Sequence, residues 1–163
     1  MKEKLVRIVK ILNDNGKKVS TMESCTGGAL VNAITNVSGA SNVLEYSAVT
    51  YSNYFKIKMG VDKDIIDKYT VYSKETAREM ARKICIFSSS NYGIGITGKL
   101  GKKDSNNECG YDNQVFVSIY DSDDDLFIDF DIFVGSDDRR DDKKEVLDVT
   151  IDKFLDYLEG RYV

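Results

Sequence analysis

Leu5, Ile8, Val9, Ile11 and Leu12 recur at the spacing that puts apolar side chains on one face of a helix from Lys2 to Asn15, and Gly16 follows as a C-cap. The pattern then changes. Lys18 to Met22 is a short extended run, broken by Glu23-Ser24-Cys25-Thr26-Gly27-Gly28, after which Ala29 to Val37 resumes helical spacing. Tyr46 to Tyr51, rich in β-branched and aromatic residues, predicts a second strand. A helix over Asn53 to Met59 ends at Gly60, and Asp62 caps another through Tyr69. Ser73 caps a longer one that turns Ala77, Met80, Ala81 and Ile84 inward.

Tyr92 to Thr97 is the next strand, where Gly93 and Gly95 leave room for another element to pack closely. Gly98 to Asn113 is a polar, glycine-bearing loop. Gln114 to Tyr120 and Leu126 to Phe133 form a hairpin around Asp121-Ser122-Asp123-Asp124. Ile128, Phe130 and Ile132 alternate with Asp129 and Asp131, so one face of that strand is expected to be buried and the other wet. A last helix, from about Asp141 to Leu158, buries Val146, Leu147, Ile151, Phe154, Leu155 and Leu158. Helices alternate with strands early and a hairpin comes late. The expected architecture is an α/β fold, a three-layer α/β/α sandwich on a mixed, mostly parallel sheet, with one antiparallel strand supplied by the hairpin. No repeat or low-complexity linker divides residues 1–163, which reads as a single domain.

Composition sharpens this picture mainly by exclusion. A chain of 163 residues, 42% apolar, can bury a core without disulfides or metal staples. Its net charge of −4, with signs mixed, predicts neither a nucleic-acid partner nor a membrane-surface one. Cys25, Cys85 and Cys109 are odd in number and form no CxxC pair, which reads as reduced thiols. The N-terminal Met1-Lys2-Glu3-Lys4 begins no secretory signal, and no stretch approaches the roughly 20 apolar residues of a membrane span, so a cytoplasmic protein is expected. The chain has no histidine, which removes Ser-His-Asp and Cys-His catalysis and most zinc sites. An enzyme built from these residues must use Lys, Tyr, Asp or Glu as its base, or a water held on a metal by carboxylates.

Four segments carry chemistry. Glu23 to Gly28 lies between a strand and a helix; its glycines allow close backbone approach, Ser24 and Thr26 add hydroxyls, and first-turn N–H groups could face an anion. A capped helix start with no ligand would look much the same. Tyr51-Ser52-Asn53 with Lys56 brings a phenol and an amine within a turn and a half of each other; a partly desolvated amine can serve as base toward a hydroxyl nucleophile. A surface lysine and an edge-of-core tyrosine fit the same residues. Thr97-Gly98 ends a strand at the flexible loop. Gly135 to Arg140 precedes the last helix, where an arginine could grip a phosphate or carboxylate, or Arg139 and Arg140 could pair with Asp137, Asp138, Asp141 and Asp142.

In order along the chain, Glu23-Ser24-Cys25-Thr26-Gly27-Gly28, Ser38-Gly39-Ala40-Ser41, Val49-Thr50-Tyr51-Ser52-Asn53 with Lys56, Gly60-Val61, Val71-Tyr72-Ser73, Gly95-Ile96-Thr97-Gly98 and Phe133-Val134-Gly135 with a nearby Asp-Arg resemble the CinA C-terminal domain family. The resemblance covers nearly the whole chain and implies an α/β/α domain. Active members of that family are nicotinamide-nucleotide amidohydrolases, converting nicotinamide mononucleotide to the acid and ammonia. Carried over by position, the resemblance implies Ser24 as nucleophile, with Tyr51 and Lys56 activating it. It implies Glu23, Thr26, Gly27, Gly28, Asn53, Thr97 and Gly98 as the substrate and oxyanion pocket, and Arg139, or Arg140 in its stead, at the anionic part of the substrate. No metal or cofactor is implied, and a dimer or larger homo-oligomer is.

The chain departs from the family in two places. Where the family continues its Thr-Gly with Ala-Gly-Pro and further glycines, this sequence reads Thr97-Gly98-Lys99-Leu100-Gly101-Lys102-Lys103-Asp104, and the later Lys-Pro-Val-Gly is replaced by Gly110-Tyr111-Asp112-Asn113. Lys99, Lys102 and Lys103 could capture a phosphate or could equally form a solvated loop. The Asp-Arg near the C-terminus is displaced by Ser136 and Asp137. Substrate placement by about 1 Å can change rates about a hundredfold, so two expectations follow: an amidohydrolase, or a nucleotide-binding or interaction module without turnover.

Overall fold

The computed structural model describes residues 1–101 and 108–161. Its sheet has five strands in the order β2-β1-β3-β4-β5. These are β1 (Val19–Glu23), β2 (Ala48–Val49), β3 (Tyr92–Gly98), β4 (Gln114–Asp121) and β5 (Leu126–Phe133). β1 pairs in parallel with β2 and β3, and β4 runs antiparallel to both β3 and β5. Four strands therefore share one direction and β4 alone opposes them, the mixed sheet that the hairpin required.

Helices α1 (Lys2–Asp14), α2 (Ala29–Thr35) and α6 (Arg139–Leu158) cover one face. Leu5, Ile8, Leu30, Ile34, Val146, Ile151 and Phe154 meet Ile94, Ile96, Val117 and Ile119 there. Each such side chain contributes roughly 1.5–3 kcal/mol on leaving water. Helices α4 (Lys63–Tyr69) and α5 (Lys74–Ser88) lie on the other face, where Met80, Ile84 and Ile66 pack with Met22 of β1. The helix starts are set locally: Asp62 accepts a hydrogen bond from the Asp64 amide, and Ser73 from the Thr76 amide.

Gly93 and Gly95 explain how closely α5 lies on β3. A Cβ added at either would stand 2.0 Å from the Ala81 carbonyl oxygen or 2.2 Å from that of Ala77, so only glycine lets the helix backbone reach the strand. Two expected boundaries move, and one expected face changes character. β2 shrinks from Tyr46–Tyr51 to Ala48–Val49 because it is an edge strand with only β1 to pair with. α6 begins at Arg139, since the Asp138 carboxylate accepts from the Arg140 amide and starts the helix there. The supposedly wet face of β5 is partly covered, because Asp129 accepts hydrogen bonds from Arg78 of α5 at 2.7 Å and from Ser118 at 2.8 Å.

The chain leaves β1 through α2 toward β2 on one side, then returns over β1 through α3 (Asn53–Lys58), α4 and α5 to β3. The order thus reverses between β1 and β3, and open α/β sheets hold their ligands at the C-terminal ends of strands flanking such a reversal. Among the described residues no helix is long and apolar enough to cross a membrane.

Candidate active site

Glu23, the last residue of β1, is completely buried. Its carboxylate accepts from the Leu30 amide at 3.0 Å and the Val31 amide at 2.9 Å, and from the hydroxyls of Thr26 at 2.7 Å and Thr21 at 3.2 Å. This corrects an expectation. The first-turn N–H groups of α2 do not face an external anion, because an internal carboxylate already takes them. Glu23 and Thr26 do not line the cavity described below; nor do Gly27 and Gly28, whose φ of +63° and +91° let the chain turn from strand to helix over the buried carboxylate. These four residues shape the site from behind.

That turn presents Ser24. Its amide donates to the Ile96 carbonyl of β3 at 3.0 Å, which fixes the residue between the two strand ends. Lys56 arrives from α3. Ser52 caps this helix by accepting from the Phe55 amide at 3.2 Å, and Lys56 one turn later faces inward, only 2% exposed. Its Nζ donates to Ser24 Oγ at 3.0 Å and to the Thr50 carbonyl at 2.9 Å. Sequence positions 32 residues apart are thereby joined in one buried contact.

The two groups open onto a cavity of about 520 Å³, which is within the range of small-molecule sites. Tyr51, Ser52 and Asn53 form its wall at the start of α3, and Val71 with Tyr72 the wall ahead of α5. Thr97 to Gly101 continue β3 along the third side, and Arg139 closes the rim from α6. Thr97 spends its hydroxyl on the Val71 carbonyl at 2.7 Å and so ties two walls together. Tyr51 is 64% exposed, and its hydroxyl accepts from Arg139 at 3.3 Å. The phenol thus meets Arg139, and the contact between Lys56 and Ser24 is direct. Arg139 also donates to the Leu100 carbonyl, while Arg140 does not line the cavity. Neither arginine forms an ion pair among the described residues, so the salt-bridged helix start is not what holds them.

Charge in this cavity is one-sided. Lys56, Lys99 and Arg139 line it, and no Asp or Glu does among the described residues, although the chain is acidic overall. Cys25 also reaches the cavity, but burial pushes its thiol up to about 12, so at neutral pH it stays protonated and is a poor nucleophile. The hydroxyl beside it has the amine. The motif segments contain Cys25, Val71 and Tyr72 without giving them a role, and Lys99 and Leu100 stand in the departing loop, whose lysines fit a phosphate contact or a solvated loop equally well. Lys102 and Lys103 lie outside the described residues. Among the described residues there is no group of three His, Cys, Asp or Glu side chains able to hold a metal.

Residues 2–158 match the CinA C-terminal domain. The chain belongs to this family. A competence-damage inducible protein from Clostridium botulinum (strain Langeland) is 35% identical over 152 residues, 93% of this chain and 35% of that protein. A protein of the same description from Caldanaerobacter subterraneus is 43% identical over 95 residues, 58% of this chain and 23% of that protein. The chain therefore spans about a third or less of the length of these curated relatives. Among solved structures, the competence/damage inducible protein CihA from Agrobacterium tumefaciens aligns with a TM-score of 0.86 at 25% identity, covering 97% of this chain and 94% of that one. The CinA superfamily protein from Klebsiella pneumoniae 700603 aligns at 0.89 over 98% of both chains, with 18% identity, a likeness of fold.

Proposed function

We propose that this CinA C-terminal domain hydrolyses the carboxamide of nicotinamide mononucleotide, or of a closely related nucleotide amide, with Ser24 as nucleophile and Lys56 as its base. The reading is carried by one observation: a lysine 2% exposed, with its Nζ 3.0 Å from a serine hydroxyl at the floor of a cavity. In its neutral form the amine uses the same contact in the opposite sense, accepting the hydroxyl proton. Oγ then attacks the amide carbon and the carbonyl oxygen becomes an oxyanion. The turn after Ser24 brings Cys25 to the cavity, and its backbone N–H is the proposed oxyanion donor. Collapse breaks the C–N bond, and the proton held on Lys56 leaves with ammonia. Water next gives a proton to Lys56 and adds to the ester, releasing the carboxylic acid and restoring Ser24. One water is consumed for each amide cleaved. The cationic rim suits a phosphorylated substrate.

The test is ammonia release and acid formation from nicotinamide mononucleotide by the native chain, beside Ser24→Ala and Lys56→Ala. Each substitution is expected to lower kcat/KM roughly a thousandfold or more, because the two groups act as one unit. A well-folded native protein that releases no ammonia at high enzyme concentration ends the hydrolase reading. If the mononucleotide raises the melting temperature yet is recovered intact, the site binds without turnover.

A further inference from the structure

Lys99 is 7% exposed, yet among the described residues its ammonium has no carboxylate or carbonyl partner. Its one recorded contact is with the face of the Tyr72 ring, 5.0 Å from the centroid. A buried ammonium is retained at low cost only where something neutralises it, and an aromatic face does so in part. The main chain that carries it is fixed: the Lys99 amide donates to the Gln114 carbonyl at 3.0 Å, extending the β3–β4 ladder past the end of the strand. Ile96, three residues earlier, is bonded to Ser24, so at about 3.3 Å per extended residue Lys99 stands roughly 10 Å along the cavity from the nucleophile. Arg139, on the same side, is anchored to the carbonyl of the neighbouring Leu100.

We infer that Lys99, set against Tyr72 and flanked by Arg139, forms the subsite for the phosphate monoester of the substrate and makes the site select phosphorylated over unphosphorylated amides. This rests on the proposed amidohydrolase reading for the identity of the substrate, but not for the presence of the anion subsite. The ligand chemistry is that of a dianionic oxyanion group at the end of the cavity away from Ser24. Lys99 is a positioning and specificity residue: it touches the phosphate, not the reacting carboxamide.

The experiment compares nicotinamide mononucleotide with nicotinamide riboside, the same amide without its phosphate, on the native chain, Lys99→Met, Lys99→Gln and Lys99→Arg. A charge-assisted hydrogen bond is worth roughly 10- to 100-fold in affinity, so the ratio of kcat/KM for mononucleotide over riboside is expected to fall by that factor in Lys99→Met and Lys99→Gln and to recover in part in Lys99→Arg. The fall is expected in KM more than in kcat. A purely structural lysine would lower both substrates together and leave the ratio unchanged, which overturns the inference. Should the native chain turn over neither compound, the hydrolase reading fails but the subsite is still tested, by the extra thermal stabilisation that mononucleotide gives over riboside. Its loss in Lys99→Met supports the subsite, and its persistence in that variant, confirmed as folded by its own melting transition, refutes it. Lys99→Gln provides the same reading if the methionine variant does not fold.

Discussion

Two neighbouring strands end at the same cavity, and they end differently. After β1, the turn from Glu23 to Gly28 is bonded inward: a fully buried carboxylate holds two backbone amides and two hydroxyls, and the turn offers the cavity only Ser24 and Cys25. After β3, the segment from Thr97 to Gly101 lines the cavity along its whole length, tied back through the Thr97 hydroxyl, the Lys99 amide and the arginine that meets Leu100. The first end is built to hold one hydroxyl still. The second is built to present charge. Precision at a nucleophile needs surroundings with no slack, whereas recognition of an anion needs cations able to reach it. Damage to the first end should therefore register in folding, and damage to the second in affinity.

The largest effect expected on stability follows from Glu23→Ala, which strands the amides of Leu30 and Val31 in a dry interior. Each orphaned group costs about 1–3 kcal/mol, so a loss of roughly 3–5 kcal/mol is expected in urea unfolding. A loss below about 1 kcal/mol would mean that the carboxylate does not organise the turn, and the contrast between the two ends would collapse.

An effect that is nil at neutral pH and grows only in alkali comes from Cys25. Its thiol, ordinarily at 9.0, stands at about 12 in the folded protein because burial disfavours the thiolate. Below pH 9 both states hold the proton and this contribution is complete. Between pH 9 and about 12 the unfolded chain releases the proton and the folded one keeps it, so stability falls as pH rises, by up to about 1.4 kcal/mol per pH unit. Unfolding free energies of the native chain and of Cys25→Ala, measured across that window, should diverge with this slope. Parallel curves would show that the first strand end is wetter than described.

The smallest effect on stability belongs to Arg139→Ala, under about 1 kcal/mol for an exposed rim arginine. Its expected signature is a rise in KM for the mononucleotide of roughly tenfold or more, from the loss of a charge-assisted contact. Equal damage to stability from Arg139→Ala and Glu23→Ala would erase the distinction between a structural wall and a recognition wall.

Much of this was legible in the residues. The apolar spacing of α1, the caps at Asp62 and Ser73, the β4–β5 hairpin and the thinning of β3 at Gly93 and Gly95 are local signals, and each has its counterpart in the fold. β2 was over-read because β propensity does not say how many neighbours a strand will have. Alternation places Asp129 on a wet face because it shows which side chains share a face, not whether a helix covers the second face. In the site, motif order points to Ser24, Lys56, Thr97 and Arg139, while for Lys99 the sequence leaves a phosphate contact and a solvated loop equally open. Glu23 faces inward and not toward a ligand, and the residue type alone fits both a ligand contact and a buried helix cap.

Sequence alone settled the periodicities, the caps, the absence of imidazole and the order of the motifs, because each depends on neighbours a few positions away. Tertiary structure decided which of two arginines meets Tyr51, that a carboxylate closes α2 from within, and that an amine from α3 reaches a hydroxyl after β1. Those outcomes depend on distances between segments that are remote along the chain. Only the sheet, by placing the ends of β1 and β3 side by side under α3 and α6, sets them.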